Sequence, residues 1–159
     1  VELRVVPYDH PDAVRLIADV QQEYVVRYGG IDETPTDPGE FAPPEGLFVV
    51  GYLDGTPVAC GGWRALGGAA GPEAEVKRMY VAPVARGRGF ARAVLEKLER
   101  TVADAGLRRV ILETGLAQPE AIALYTSSGY TPIESFGIHR DSPNSRCFAK
   151  ALRTSRAFG

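Results

Sequence analysis

The chain opens on an apolar-rich stretch, Val1 to Val6, which predicts a strand. Asp9 stands where it can cap a helix beginning HPDAVRL, with Pro11 inside the first turn and Asp12 near the positive end of the dipole. Val14, Ile17, Val20, Gln21, Tyr24 and Val25 then recur at helical spacing until Gly29 and Gly30 end the pattern. From Gly29 to Gly46 the periodicity gives way to Pro, Gly and acidic residues. This predicts a long loop with a short helix near Pro38 to Phe41. Such a loop is either a functional lid or a solvated acidic segment.

Strand patterning resumes at Leu47 to Leu53, turns at Asp54-Gly55 and returns from Thr56 to Leu66. Gly67 to Pro72 is Gly/Ala-rich and predicts a mobile loop. Ala74 to Ala82, AEVKRMYVA, is a third strand stopped by Pro83. Simple alternation along it puts Glu75, Lys77 and Met79 on one face and Arg78 and Tyr80 on the other. After RGRGFAR comes a helix to Ala105, with Ala91, Val94, Leu95, Leu98, Val102 and Ala105 on one apolar stripe, ended by Gly106. Arg108 to Thr114 is a strand, PEAIALYTSS a short helix closed by Gly129, and Tyr130 to Ile138 and Arg146 to Leu152 two last strands. This order predicts one α/β or α+β domain over residues 1–153, with helices on both faces of the sheet, and a flexible tail at 154–159.

Composition narrows the class. A chain of 159 residues suits a single core that buries roughly 70% of its unfolded surface, with no need of a disulfide or a metal. Eighteen Lys plus Arg against twenty Asp plus Glu give a net charge of -2, without the basic excess of a nucleic-acid binder. The charge is uneven: no base lies between Arg27 and Arg64, where Asp32, Glu33, Asp37, Glu40, Glu45 and Asp54 all fall. Cys60 and Cys147 sit in apolar runs without a C-x-x-C pair, so they are expected to be buried free thiols. The longest apolar run, LFVVGYL, is too short to span a bilayer, and VELRVV has no signal-peptide layout. The expectation is a cytoplasmic protein with no membrane or nucleic-acid partner. His10 and His139 are far apart in sequence and suggest no metal site. Trp63 is expected in the core.

RGRGFAR carries the clearest chemistry. It brings two glycines and three arginines to the start of a helix, where backbone N–H groups are unpaired and the dipole is positive. Glycine admits a bulky anion, and arginine matches phosphate oxygens. The segment therefore predicts a phosphate or pyrophosphate site. It is not a P-loop, which needs Gly-Lys-Ser/Thr, and it lacks the third small residue of a dinucleotide fingerprint, where Arg92 stands.

EVKRMYV, APVA and RGRGFA, followed by an amphipathic helix, resemble the acyl-CoA motif of the GNAT superfamily of N-acetyltransferases. The pattern Arg/Gln-x-x-Gly-x-Gly/Ala is met by Arg86, Gly89 and Ala91. LETGLAQPEAIALYTSSGY is similar to the family's next strand, short helix and Tyr-x-x-x-Gly-Tyr/Phe ending. The resemblance implies a mixed, mostly antiparallel sheet of six to seven strands, splayed between Ala74–Ala82 and Arg108–Thr114. It implies acetyl-CoA as cofactor, with the pantetheine arm against Met79, Tyr80 and Val81 and the pyrophosphate on Arg86, Gly87, Arg88, Gly89, Phe90, Ala91 and Arg92. Gln118 falls where the family often has a polar side chain at the arm.

The implied reaction is direct acetyl transfer to a primary amine of a small molecule. It requires a neutral amine, a polarised carbonyl and a proton for the leaving thiolate. Tyr125 matches the family's acid and Glu75 a frequent position of its base, directly or through water. Glu113 is the rival base, and Tyr125 as a core residue and Glu75 paired with Arg64 or Arg78 are the structural alternatives. The resemblance also admits a non-catalytic acyl-CoA sensor, a peptide or protein acetyltransferase, and a homodimer. The acidic stretch from Asp32 to Glu45 leads us to expect a cationic acceptor.

Overall fold

The computed structural model describes residues 1–68, 71–137 and 139–152. The mobile loop expected over Gly67 to Pro72 is instead strand at 67–68 and 71–72, where Gly67 pairs with Pro72 and Gly68 with Gly71; its remaining residues 69–70 and the tail at 154–159 lie outside the described residues. Seven strands form one sheet: β1 (Glu2–Val5), β2 (Gly46–Leu53), β3 (Thr56–Gly68), β4 (Gly71–Val81), β5 (Arg109–Gly115), β6 (Thr131–Ile133) and β7 (Ser145–Ala151). Their order is β1-β2-β3-β4-β5-β7-β6, and every neighbouring pair is antiparallel except β4 with β5. Three α-helices pack on it: α1 (Pro11–Tyr28), α2 (Phe90–Asp104) and α3 (Pro119–Ser127). A 3-10 turn covers Pro38–Phe41, where a short helix was expected.

Sheet alternation builds two cores. β2 is buried on both sides: Leu47 and Val49 join Val94, Leu95, Leu98 and Val102 of α2, while Phe48, Val50 and Tyr52 meet Ala13 and Leu16 of α1. Tyr125 of α3 belongs to the α2 side. Helices thus cover both faces, as the pattern predicted. Trp63 is buried, with its indole N–H donating to Thr101 Oγ1 at 2.9 Å. Cys60 and Cys147 are buried free thiols.

Three further sequence expectations need correction. The cap of α1 is His10, not Asp9: its Nδ1 accepts the Asp12 N–H at 3.1 Å. Asp9 is one residue too early to reach that turn. The strand expected from Tyr130 to Ile138 is only Thr131–Ile133, because this edge strand pairs with β7 alone and the chain then leaves the sheet toward the end of α1.

The third correction bears on the site. Cys60 faces Tyr80 and Gly62 faces Lys77, so β4 holds one residue more than β3 between these pairs. The extra residue forms a β-bulge in which Arg78 takes φ +62°. Alternation therefore skips there. Lys77 and Arg78 emerge on the same face, toward Asp32, and both share it with Glu75 and Tyr80. Met79 and Val81 turn to the α2 side, with Ala74 and Val76. Periodicity alone could not reveal an inserted residue.

Candidate active site

β4 and β5 stay paired for only three residues, Ala74 with Val110, Glu75 with Ile111 and Val76 with Leu112. Beyond Val76 no pairing joins β4 to β5, and the β4 edge from Lys77 to Val81 has no strand neighbour on that side among the described residues. The strands part around a cavity of about 280 Å³. Lys77 and Arg78 line one wall and Glu113, Thr114 and Gly115 the other.

The end of α1 roofs this opening with Tyr24 and Tyr28. Tyr28 lies so close to β5 that a Cβ on Gly115 would overlap its hydroxyl, which explains the glycine. The same hydroxyl donates to Gln118 Oε1 at 3.2 Å. Arg27 donates to the Ala117 carbonyl and pairs with Glu120 at 2.8 Å, tying α1 to the start of α3. Packing in the cavity wall pushes the Tyr24 phenol up, and it stays protonated at neutral pH.

Asp32, just past α1, closes a third side. Its carboxylate pairs with Lys77 Nζ at 3.0 Å and Arg78 Nη1 at 2.7 Å, lies 3.3 Å from His139 Nε2, and accepts the Thr34 hydroxyl at 2.6 Å. Burial alone would raise this carboxyl. The Lys77 charge, the Thr34 donors and Arg78 outweigh it and hold Asp32 far below the usual carboxylate range. Next to this cluster, Glu75 Oε1 accepts from Arg64 Nε at 3.0 Å, and Arg64 Nη1 also pairs with Glu40 at 2.9 Å. Glu75 Oε2 lies 4.0 Å from Lys77. Asp37 and Glu40 also form a capping box around the 3-10 turn. In the acidic stretch expected to attract a cationic acceptor, Asp32, Asp37 and Glu40 thus have partners within the same chain, with Asp32 the inward-facing one.

The loop before α2 forms a cradle of backbone N–H groups. Gly87 and Gly89 take φ of +80° and +81°, a left-handed backbone that glycine adopts without steric cost. The N–H groups of Gly87 through Arg92 have no partner among the described residues. The arginines are not equivalent. Arg86 donates to the Val81 carbonyl at 2.8 Å and to Glu23 at 2.5 Å, and stacks over Tyr80. Arg92 donates to Ser127 and Ser128 at the end of α3. Arg88 is exposed, without a hydrogen bond to any described residue.

Of the residues singled out from sequence, Gln118 lines this cavity, whereas the Met79–Val81 stretch and the loop from Arg86 to Arg92 are not among its lining residues. Tyr125 is buried in the α2-side core, edge-on to Tyr130 at 5.7 Å between ring centres. Its hydroxyl has no partner among the described residues, and burial pushes the phenol well above its ordinary value. It lies close enough to Tyr24 that its charge would raise the Tyr24 phenol further. Glu75 is paired with Arg64 and lies outside the cavity wall, whereas Glu113 is in the wall and accepts the Ser145 hydroxyl. Sequence reasoning missed Tyr24 and Tyr28, although their four-residue spacing at a helix end was a usable signal. It gave no hint of Asp32, Lys77 and His139 converging, since they come from three separate segments.

An open sheet parting beside an N–H-rich helix start defines an acyl-CoA-type transferase scaffold. The acetyltransferase (GNAT) family model matches residues 14–130, and the chain belongs to that family. It is 39% identical over 111 residues to the IAA acetyltransferase of Azospirillum brasilense, covering 70% of this chain and 71% of the relative. A Klebsiella pneumoniae protein assigned as an acyl-CoA N-acyltransferase superposes with a TM-score of 0.75 at 26% identity, covering 96% and 97% of the two chains. A GNAT acetyltransferase of Elizabethkingia anophelis, seen with acetyl-CoA bound, shares the fold with a TM-score of 0.67 at 12% identity, covering 95% and 97%.

Proposed function

We propose that this protein is an acetyl-CoA-dependent N-acetyltransferase that acetylates a primary amine of a small molecule by direct transfer. The observation that carries the reading is the run of unpaired N–H groups from Gly87 to Arg92 beside strands that part after Val76 and Leu112. That donor set fits the diphosphate of coenzyme A, with Arg88 adding its charge. The open β4 edge at Met79, Tyr80 and Val81 fits the amides of the pantetheine arm, and Gln118 adds a polar contact. When bound, acetyl-CoA would supply the acetyl thioester: a C–N bond forms as the C–S bond breaks, and of the two protons lost by the ammonium nitrogen the equivalent of one ends on the sulfur and one passes to solvent.

The chain's own groups handle those protons. Glu113, in the cavity wall, takes a proton from the acceptor nitrogen. This role suits Glu113 better than Glu75, whose carboxylate is engaged by Arg64. Tyr125 holds a proton for the departing sulfur, and its buried phenol is protonated at neutral pH. Tyr24 and Tyr28 exclude water from the reacting groups.

The test is thiol release from acetyl-CoA against a broad amine library, with product mass measured, beside calorimetry of acetyl-CoA binding. An acetylated amine is the expected result. Binding without turnover of any amine would instead support the acyl-CoA sensor, and absence of binding would remove the coenzyme from this cavity.

A further inference from the structure

The charges around the cavity are almost all accounted for within the chain. Arg64, Lys77 and Arg78 face Asp32, Glu40 and Glu75 in one connected network, three positive groups against three negative. His139 stands at its rim, 3.3 Å from Asp32. Glu113 is outside this network. It lines the cavity, its described hydrogen-bond partner is the Ser145 hydroxyl, and it has no ion-pair partner among the described residues. A carboxylate half withdrawn from water without a cation is unfavourable on its own, so the wall complements one positive charge delivered from outside.

We infer that the acceptor is a primary monoamine with an otherwise uncharged body, whose ammonium docks on Glu113. The inference rests on the transferase function proposed above and deepens it by naming the class of acceptor. A second ammonium would point at Lys77 and Arg78, whose counter-charge Asp32 is already engaged. A carboxylate near the amine would meet Glu113 itself, and Lys77 and Arg78 are already balanced by Asp32 and Glu75. The remaining walls suit a neutral body: Tyr24, Tyr28 and Ile31 on one side, and the polar but uncharged Thr114, Ser142 and Asn144 on the other.

The experiment compares kcat/KM for three amine classes of similar size: monoamines such as ethanolamine and phenethylamine, diamines and polyamines such as putrescine and spermidine, and α-amino acids. Monoamines are expected to exceed the other two by about tenfold or more, the scale of one unmatched charge-assisted contact. To separate docking from proton transfer, inhibition by the N,N-dimethyl analogue of the best amine is measured; it is protonated at neutral pH and yields no stable amide. Its Ki should rise about tenfold in Glu113→Gln, with partial recovery in Glu113→Asp and unchanged affinity for acetyl-CoA. Preference for a polyamine or an amino acid, or an unchanged Ki in Glu113→Gln, overturns the inference while leaving the transferase intact. Absence of any acetylated amine in a protein that binds acetyl-CoA overturns both.

Discussion

Arg78 leaves the regular β conformation at φ +62° and directs its guanidinium onto Asp32, with Nη1 2.7 Å from Oδ2. The bulge and the ion pair act together. The inserted residue rotates Arg78 to the same face as Lys77, and Asp32 then pairs with both of these adjacent side chains, which are only 3% and 7% exposed. The backbone irregularity thereby fixes the segment after α1 beside the opening.

Replacing Asp32 by Asn leaves both cations buried without their shared carboxylate. A loss of about 3–5 kcal/mol in unfolding free energy is expected, the usual result of breaking a buried pair. The depressed carboxyl also sets a pH dependence. Its contribution is fully present above the unfolded value of about 4 and is lost as pH falls toward the much lower folded value. Asp32→Asn should therefore flatten the acid limb of stability, read by denaturant melts between about pH 5 and pH 2.

The backbone share of the bulge can be isolated at the same position. Arg78→Gly and Arg78→Val remove the same ion pair, but valine disfavours a positive φ and glycine does not. The valine variant should be less stable by about 1–2 kcal/mol. Equal stability of the two would mean that the bulge relaxes without strain.

Glu75 and Glu113 should separate stability from turnover. Glu75→Gln weakens the buried pair with Arg64, so thermal unfolding should fall while the folded protein retains acetyl transfer. Glu113→Gln should retain its melting temperature and lose about 100-fold or more in kcat, the scale of general base catalysis. The reverse pattern would return the base to Glu75.

Tyr125→Phe removes a hydroxyl and leaves the ring packed on Tyr130. We expect kcat to fall about 100-fold with acetyl-CoA affinity nearly unchanged, measured by single-turnover kinetics and calorimetry. Unaltered kcat would confine Tyr125 to the core.

Arg88 and Arg86 of the cradle should differ on truncation. Arg88→Ala is expected to weaken acetyl-CoA binding by about tenfold and to lower its salt dependence, because its charge is free for a phosphate. Arg86→Ala should also disturb stability, since Arg86 bridges Val81 and Glu23. Equal melting temperatures and equal losses of affinity for the two variants would contradict this division.

Much of the molecule follows from the chain's own pattern. The continuous apolar run of β2 demanded burial on both faces, the stripe on α2 demanded a sheet to cover, and glycines at 87 and 89 before a helix start left N–H groups free for an anion. Those are local properties, set by side-chain spacing and by backbone freedom within a few residues. Gln118 and Tyr125 were singled out by the family resemblance; the structure puts Gln118 in the cavity wall and Tyr125 in the α2-side core. Which face each site residue would occupy did not follow, because one inserted residue at Arg78 reverses the alternation and leaves no mark in hydrophobicity. Only the tertiary structure decided that Glu75 meets Arg64, that Glu113 has no cation beside it among the described residues, and that Asp32, Lys77 and His139 converge. Electrostatic partners are chosen by distance in space, and folding brings together charges whose separation along the chain carries no information about it.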